Sequence, residues 1–416
     1  MIFEPAPPND FAEFIETYYE ECRRVMPQIE AIGGKWTFED LIPGMSDFDY
    51  RFICANGMSA DDWCKMASLV GQVHLELSKA RPHWARKLEH LPGVNLTWDE
   101  LTDPGGYCTD FSQWTFYHTA QPERLKQARQ RLAKRPWSEA DELYHLNKFI
   151  TYYTPYDREL DPAINLGPYE NKYPLHSRIM HYFPPPVQSG ISILRQHTLA
   201  GKMAALRLAC EMFPETSVFD EAVDIIDRHY EVPELYHDPA LAQLEQRLFE
   251  AMKIVGRHLA DAITTVPAAA STSPEQWKQA LKQIPVDLRR AVFVNAKWSR
   301  LTKGRLYFYA HAPSHFETAW LIRNECKLIR TIFVVPPFTA FWELTQGERV
   351  GDPAEIIPQL APETLTDEEA ECCLTVGALT NNCQEGRETE VARQLVEAFD
   401  GFHHALHKLS AIAVEW

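Results

Sequence analysis

Two aspartates, Asp47 and Asp49, stand one residue apart in the aromatic stretch "GMSDFDYRF", residues 44–52. Alternate residues of a strand point to the same side, about 6.5–7 Å apart along it. Carboxylate oxygens are hard ligands that suit Mg²⁺, which binds proteins through a few carboxylates together with substrate phosphates. The spacing therefore predicts a site for one Mg²⁺ or for two adjacent ions, the arrangement that assists phosphoryl transfer.

The residues around these aspartates predict the strand that carries them. In "DFDYRFICA" an apolar face alternates with a polar one that contains both aspartates. The apolar face is made of Phe48, Tyr50, Phe52 and Cys54. A helix over 10–26, capped by Asp10, and a short strand "IEAIGG" precede this stretch.

A second helix and a third strand follow. Ser59 and Asp62 form a capping box that opens the helix. The stretch "GVNLTWDEL" then alternates, with Asn95, Thr97 and Asp99 on its polar face. The first ~110 residues therefore predict a small α/β layer.

A second motif lies upstream of the aspartates. The triplet Ile32-Gly33-Gly34 is followed by twelve residues and then by "DFDY". This order resembles the signature of the polymerase-β-like nucleotidyltransferase superfamily, and Ser46 before the first aspartate matches many members. Gly34 departs from it, because many members carry serine there. The resemblance covers about residues 10–110, a quarter of the chain.

The resemblance implies an α+β protein with a small mixed-sheet nucleotidyltransferase domain and a mainly helical C-terminal region. The backbone of Gly33 and Gly34 would cradle the triphosphate of an NTP, ATP being the favoured one, and Lys35 would contact a phosphate. Such an approach suits glycine, which has no Cβ to hold the backbone away from the phosphate.

The same resemblance implies catalytic Mg²⁺ ligands. Asp47 and Asp49 would be two of them, and the third carboxylate of the family lies on a neighbouring strand. Asp99, on the polar face of "VNLTWD", is the preferred candidate for this third catalytic ligand. Three other acids remain open: Glu100, Asp103 and Asp110.

The rest of the chain reads as mainly helical. Helices are predicted over 121–134, 138–152, 191–212, 218–230, 240–263, 366–379 and 388–410. In the 191–212 helix, Arg195 and Lys202 lie near one face, because they are about two turns apart. The resemblance implies that this helix, which also carries Arg207, lines the nucleotide site. Solvated charges on an ordinary helix are the alternative reading.

Composition suggests where the domains meet. The stretch "TTVPAAASTSPEQ", 264–276, is the most linker-like segment. We therefore divide the chain into a catalytic domain over 1–120, a helical domain over 121–265 and a mainly helical region over 275–416. In that last region "RAVFVNAKW", "RLYFYAHA" and "RTIFVVPPF" fit short strands or buried helices equally well.

Charge and cysteine content limit the partners and the compartment. The net charge of −17 disfavours nucleic acid, because neutralising phosphates requires an excess of Lys and Arg. No C-x-x-C pair occurs among the nine cysteines, and "MIFEPAPPND" does not have the pattern of a signal peptide. No long apolar run is present. These features predict a cytoplasmic protein with free thiols and no membrane partner.

Other readings of the motifs are weaker. D-x-D also marks glycosyltransferases that bind nucleotide-sugars, but there it normally follows a nucleotide-binding half of about 100 residues. His403 and His407 have a metal-binding spacing, yet no acid or cysteine partner is evident nearby. No P-loop motif and no G-x-S-x-G motif occurs.

The predicted reaction moves a nucleoside monophosphate from Mg²⁺–NTP to an acceptor hydroxyl. A small-molecule acceptor is favoured, and a protein acceptor is the second possibility. An alternative from another class is a non-catalytic nucleotide-binding or regulatory protein on a nucleotidyltransferase-like core. That alternative gains weight if no third acid approaches Asp47 and Asp49.

Overall fold

A computed structural model of the chain shows a mixed α+β protein that is mainly helical. The described residues are 10–34, 37–41, 48–85, 87–88, 91–103, 114–153, 183–231, 240–316 and 318–415. The α+β class expected from the sequence is therefore confirmed at this level.

The sheet has four strands in the order β3-β2-β1-β4. These strands are β1 (Ile29–Gly34), β2 (Tyr50–Cys54), β3 (Leu96–Thr97) and β4 (Thr115–Thr119). β1 runs antiparallel to both β2 and β4, whereas β3 runs parallel to β2. The sheet is therefore mixed, with one more strand than the sequence predicted.

Helices cover both faces of this sheet. Apolar side chains of α1 (Phe11–Val25) and α2 (Ala60–Ala80) pack on the face that carries Phe52. On the other face, Ile53 packs with residues of α3 (Trp98–Thr102) and α4 (Pro122–Ala133). The predicted alternation of β2 is confirmed, since Phe48, Tyr50, Phe52 and Cys54 are all buried in one cluster.

The helix starts show one success and one failure of the sequence rules. The capping box of Ser59 and Asp62 at the start of α2 is present as predicted. Asp10 stands at the N-cap of α1, but its side chain caps no helix amide. It accepts hydrogen bonds from Trp84 Nε1 at 2.8 Å and Lys87 Nζ at 2.6 Å instead. These partners lie more than 70 residues away, so local spacing could not reveal them.

The middle of the chain forms its own helical core. Its helices are α5 (Glu139–Tyr153), α6 (Pro184–Arg195), α7 (Lys202–Met212), α8 (Val218–Glu231), α9 (Ala240–Leu259) and α10 (Pro274–Leu281). The predicted single helix over 191–212 is wrong, because α6 ends at Arg195 and α7 begins at Lys202. Gln196 and Gly201 have φ values of 49° and 76°, which interrupt a right-handed helix.

The C-terminal part is helical throughout its described residues. It contains α11 (Leu288–Trp298), α12 (Thr302–His311), α13 (Thr318–Leu328), a π-helical segment (Ile329–Val334), α14 (Val335–Gln346), α15 (Pro353–Leu360), α16 (Asp367–Asn381) and α17 (Glu388–Glu415). The three stretches that fit strands or helices equally well are thus helices.

The hydrophobic cores divide the chain differently from the predicted domains. Helices α11–α17 share one buried cluster with α1, α2 and the sheet. The linker-like segment belongs to the middle core instead, since Thr264 and Thr265 bind the buried carboxylate of Glu142, and Trp277 packs on Phe149. The chain therefore leaves the middle core after about Ile284 rather than at 264–276.

A close helix crossing joins the N-terminal and C-terminal parts. A Cβ added at Gly304 of α12 would lie 2.5 Å from the carbonyl oxygen of Ala67 in α2. Gly71 faces Gly304 across the same contact, since a Cβ added at Gly71 would lie 3.0 Å from the Cα and the carbonyl oxygen of Gly304. Because real Cβ atoms do not approach a carbonyl oxygen so closely, this crossing requires glycine at position 304.

A buried ion pair connects the same two parts. Arg300 donates to both carboxylate oxygens of Glu100, at 2.6 and 2.8 Å, and Lys297 lies 3.4 Å from one of them. Burial would raise the pKa of Glu100, but Arg300, Lys297 and the Thr97 amide outweigh it and lower the pKa to about 2. Glu100 therefore stays ionised within this contact.

His403 of α17 lies near this ion pair. Its Nδ1 is 3.0 Å from the hydroxyl of Ser299, and its Nε2 is buried without a hydrogen-bond partner among the described residues. Burial, and then the charge of Arg300, lowers the pKa of His403 to about 3. The imidazole is therefore neutral in the folded protein near pH 7.

We expect the fold to lose stability as the pH falls. Below pH 6.5 the unfolded chain binds a proton at His403 that the folded chain does not bind. Below about pH 4.5 the unfolded chain also protonates Glu100, which stays ionised in the folded chain. The two shifts together correspond to several kcal/mol, lost between about pH 6.5 and pH 2. Urea unfolding from pH 7 to pH 4 measures the first part of this loss, which comes mainly from His403. His403→Gln should flatten the slope between pH 6.5 and pH 5, and an unchanged slope would contradict the assignment.

Candidate functional site

The end of β1 and the start of β2 meet at one end of the sheet. The antiparallel register pairs Gly34 with Tyr50, and Asp49 directly precedes β2. A Cβ added at Gly34 would lie 2.7 Å from the backbone oxygen of Asp49. The predicted phosphate-binding glycine and a predicted metal ligand are therefore neighbours, although they are fifteen residues apart in the chain.

Gly33 and Gly34 have a packing role in this structure. Both lie inside the central strand β1, paired with β2 on one side and with β4 on the other. The short distance to Asp49 also explains why position 34 has glycine where the resemblance expects serine, because any Cβ would collide with backbone. A role of their backbone in holding phosphate stays a prediction.

Tyr117 of β4 completes this end of the sheet. Its hydroxyl lies 3.3 Å from the Cβ position of Gly34, and its ring contacts Phe38 and Phe48. Burial raises the pKa of Tyr117, and the negative charges of Asp40 and Asp49 raise it further. The Tyr117 hydroxyl therefore lies beside Gly34, and two carboxylates influence its pKa.

Asp40 ties this end of the sheet to the helical core. It closes a short 3₁₀ helix, Phe38–Asp40, and its Oδ2 accepts hydrogen bonds from the amide and the hydroxyl of Thr37, both at 2.9 Å. Its Oδ1 accepts from the first two amides of α7, Lys202 at 2.6 Å and Met203 at 2.9 Å. Asp40 thus ties the start of α7 to the segment that follows β1.

The predicted metal ligands are only partly placed by the structure. Asp49 is half-buried at the start of β2. Asp47, together with Ser46 and Lys35, lies outside the described residues. Among the described residues, no group of three or more His, Cys, Asp or Glu side chains is arranged to hold a metal ion.

The structure does not bring Asp99, the preferred candidate for the third ligand, to Asp49. Asp99 is an exposed residue in the first turn of α3, and its amide donates to Asn56 at 3.1 Å. Asn56 follows the C-terminal end of β2, whereas Asp49 precedes its start. Because β2 spans about 13 Å at ~3.3 Å per residue, these two carboxylates lie at opposite ends of the sheet.

The other candidates for the third carboxylate do not fill the position. Glu100 is held by Arg300, Asp103 is exposed at the end of α3, and Asp110 lies outside the described residues. The polar residue beside β2 is Asn95, which is fully buried and whose Oδ1 accepts from the amide of Phe52 at 2.9 Å. The residue that directly precedes β3 therefore offers a carboxamide rather than a carboxylate.

Arg195 and Lys202 are not brought together on one helix face. Arg195 is exposed at the end of α6, and Lys202 is the first residue of α7. Arg207, further along α7, lies 3.6 Å from Asp227. Of the three cations, Lys202 is the one whose backbone amide binds Asp40, six residues after Gly34.

The histidines near the C-terminus do not form a metal site among the described residues. His403 is buried beside Ser299, as described above. His404 instead lies 2.9 Å from Asp61 of α2. His403 and His404 therefore connect α17 to other parts of the fold.

Sequence reasoning missed two residues of this site, Asp40 and Tyr117. A local signal existed for Asp40, because Thr37 and Asp40 have the spacing of a capping box. Tyr117 had no such signal, since β4 is placed beside β1 by long-range pairing. Its position could not be inferred from neighbouring residues.

Replacing Gly34 by alanine should disturb this end of the sheet. The new Cβ would meet the Asp49 oxygen at 2.7 Å, and since the obstacle is backbone, β1 and β2 must separate. We expect a loss of about 1–3 kcal/mol in the free energy of unfolding, as for overpacked sites. Gly351→Ala is the matched control, because nothing lies within 4 Å of its Cβ position. Urea unfolding of both variants measures the difference, and equal midpoints would contradict the close contact.

No protein-family model, curated protein or solved structure matches the chain. Among the described residues, no helix combines the length and the apolar character needed to span a bilayer. Any assignment of function therefore depends on the residues at this end of the sheet.

Proposed function

We propose that the protein is a Mg²⁺-dependent nucleotidyltransferase that moves a nucleoside monophosphate from an NTP to an acceptor hydroxyl. One observation supports this most strongly: the antiparallel pairing of β1 and β2 places Gly34 directly beside Asp49. The two halves of the sequence signature thus meet at a single point of the fold.

The chemistry at this point suits a metal-bound triphosphate. Asp49 offers a partly accessible carboxylate, the ligand type that Mg²⁺ prefers. Asp47 would supply the second carboxylate. When bound, Mg²⁺ neutralises phosphate charge and favours attack at phosphorus. The protein's own contribution is mainly to bind and orient the two substrates.

The start of α7 supplies positive charge near the same place. Lys202 is its first residue, whereas the first two amides of the helix are already bound by the carboxylate of Asp40. The Lys202 side chain would favour the triphosphate tail. Arg195 is not included in this proposal, because the helix break separates it from Lys202.

The acceptor is proposed to be a small molecule, with a protein as the second choice. The net charge of −17 disfavours long nucleic acids. ATP is the nucleotide we would test first, followed by the other NTPs.

A second candidate function is nucleotide binding without catalysis. The observation that favours it is the placement of the acids. Asp99 lies at the far end of the sheet, Glu100 is held by Arg300, and Asn95 directly precedes the neighbouring strand β3. Neither Asp99 nor Glu100 is therefore placed beside Asp49.

Label transfer distinguishes these candidates. The protein is incubated with Mg²⁺, an NTP labelled at the α-phosphate and a pool of small hydroxyl compounds or proteins. Transfer of the label to an acceptor supports catalysis. Mg²⁺-dependent binding without transfer supports the second candidate, and neither binding nor transfer would reject both.

A further inference from the structure

A buried carboxylate links the candidate site to the helical core. Asp40 is 2 % exposed and receives four hydrogen bonds. Two come from Thr37, which is three residues after Gly34. The other two come from Lys202 and Met203, which are more than 160 residues from Asp40. Asp40 therefore connects two distant parts of the chain.

These two parts belong to different hydrophobic cores. Leu41, next to Asp40, packs in the cluster that contains the sheet. Met203, whose amide binds Asp40, packs in the cluster of the middle helices. A contact of this kind sets the position of one core relative to the other at the end of β1.

The chemistry of the contact requires a small anionic side chain. A carboxylate at the start of a helix is favoured by the partial positive charge of the free amides. Its burial is tolerated because each oxygen has two donors. Space is also tight, since a Cβ added at Gly201 would lie 3.1 Å from Asp40 Oδ2.

We propose that Asp40 is a positioning residue that holds the start of α7, and with it Lys202, against the sheet end formed by Gly34, Asp49 and Tyr117. This inference rests on the proposed function, because Lys202 is expected to approach the phosphates of an NTP. Without Asp40 the two cores can separate at this point. A smaller fraction of the molecules then has the sheet end and Lys202 positioned to contact the same nucleotide.

The test measures MgATP affinity by calorimetry and amide hydrogen exchange over residues 202–203. Asp40→Ala should raise the dissociation constant for MgATP about tenfold, as expected when only a tenth of the molecules remain competent. Exchange at 202–203 should accelerate, while α8 keeps its protection. Asp40→Asn should fall between Asp40→Ala and the wild type, because one oxygen can still accept from both helix amides.

Glu142→Ala is the matched control. Glu142 is also buried and also receives four hydrogen bonds, but from Thr264 and Thr265 beside the middle core. Its loss should lower the unfolding midpoint and leave the MgATP dissociation constant within about twofold of the wild type. If Asp40 had only a structural role, Asp40→Ala and Glu142→Ala would bind MgATP with similar affinity.

Two results would overturn the proposal. One is unchanged exchange at 202–203 in Asp40→Ala, which would show that Asp40 does not hold the helix. The other is an MgATP affinity of Asp40→Ala equal to that of the wild type or of Glu142→Ala. If the wild type binds no nucleotide, the proposed function fails, whereas the exchange measurement still decides whether Asp40 positions α7.

Discussion

Replacement of Arg300 by alanine should lower the free energy of unfolding by about 3–5 kcal/mol, the cost of leaving a buried charge without its partner. Arg300 is 6 % exposed and holds both oxygens of Glu100 at 2.6 and 2.8 Å. It also donates to the carbonyl oxygen of Asn95 at 2.9 Å, and its guanidinium lies 3.9 Å from the ring of Trp63. Removing Arg300 takes a partner from the Glu100 carboxylate, the Asn95 carbonyl oxygen and the Trp63 ring at once.

Urea unfolding at pH 7 measures this effect. Arg247→Ala is the control, since Arg247 pairs with Glu221 at the surface, and we expect almost no change in its midpoint. Combining Arg300→Ala with Glu100→Gln should recover part of the loss, because a neutral amide then replaces the carboxylate that has lost Arg300. A loss for Arg300→Ala no larger than that of the control would contradict the ion pair.

Replacement of Asp49 by alanine should reduce nucleotidyl transfer at least about 100-fold, because even the residues that support metal ligands cost 10–100-fold when removed. The same loss is expected for Asp47→Ala. The fold should be retained in Asp49→Ala, because the contact with Gly34 is made by the backbone oxygen of Asp49. Initial rates with an α-labelled NTP measure the effect.

Asp99→Ala is the matched control for these variants. It removes an aspartate from the same domain, but at the opposite end of the sheet. We expect its transfer rate to equal that of the wild type. A loss as large as that of Asp49→Ala would show that Asp99 reaches the site after all, and that the register of β2 and β3 differs from the one described.

Local patterns predicted the elements that depend on nearby residues. The alternation of Phe48, Tyr50, Phe52 and Cys54 identified β2, because one face of this strand is buried. The capping box at Ser59 identified the start of α2. The approach of Gly34 to Asp49 depends on the antiparallel pairing of β1 and β2, which the sequence patterns did not predict.

Two local signals mark the end of a strand or a helix that the periodic pattern alone had extended too far. Thr97 and Glu100 form a capping box, so the polar face of "VNLTWD" ends in a helix rather than continuing as a strand. Gly201 stands between two helical stretches, and its positive φ separates α6 from α7. In both cases a strand or helix pattern was extended past a residue that ends it.

The remaining contacts are not contained in local patterns. Arg300 meets Glu100 across 200 residues, and Lys202 meets Asp40 across 162. Nothing in the spacing of these residues indicates their partners. The packing of α11–α17 on the N-terminal sheet depends on many such contacts, which explains why the predicted domain boundary near 264–276 differs from the boundary between the cores.

The most direct test of the central claim is calorimetric titration of the protein with a non-hydrolysable NTP analogue, with and without Mg²⁺. This measurement needs no knowledge of the acceptor. We expect binding that requires Mg²⁺, that is lost in Asp47→Ala and Asp49→Ala, and that persists in Asp99→Ala. Binding of equal strength without Mg²⁺, or unchanged binding in Asp49→Ala, would contradict the claim that these aspartates hold a metal-bound nucleotide.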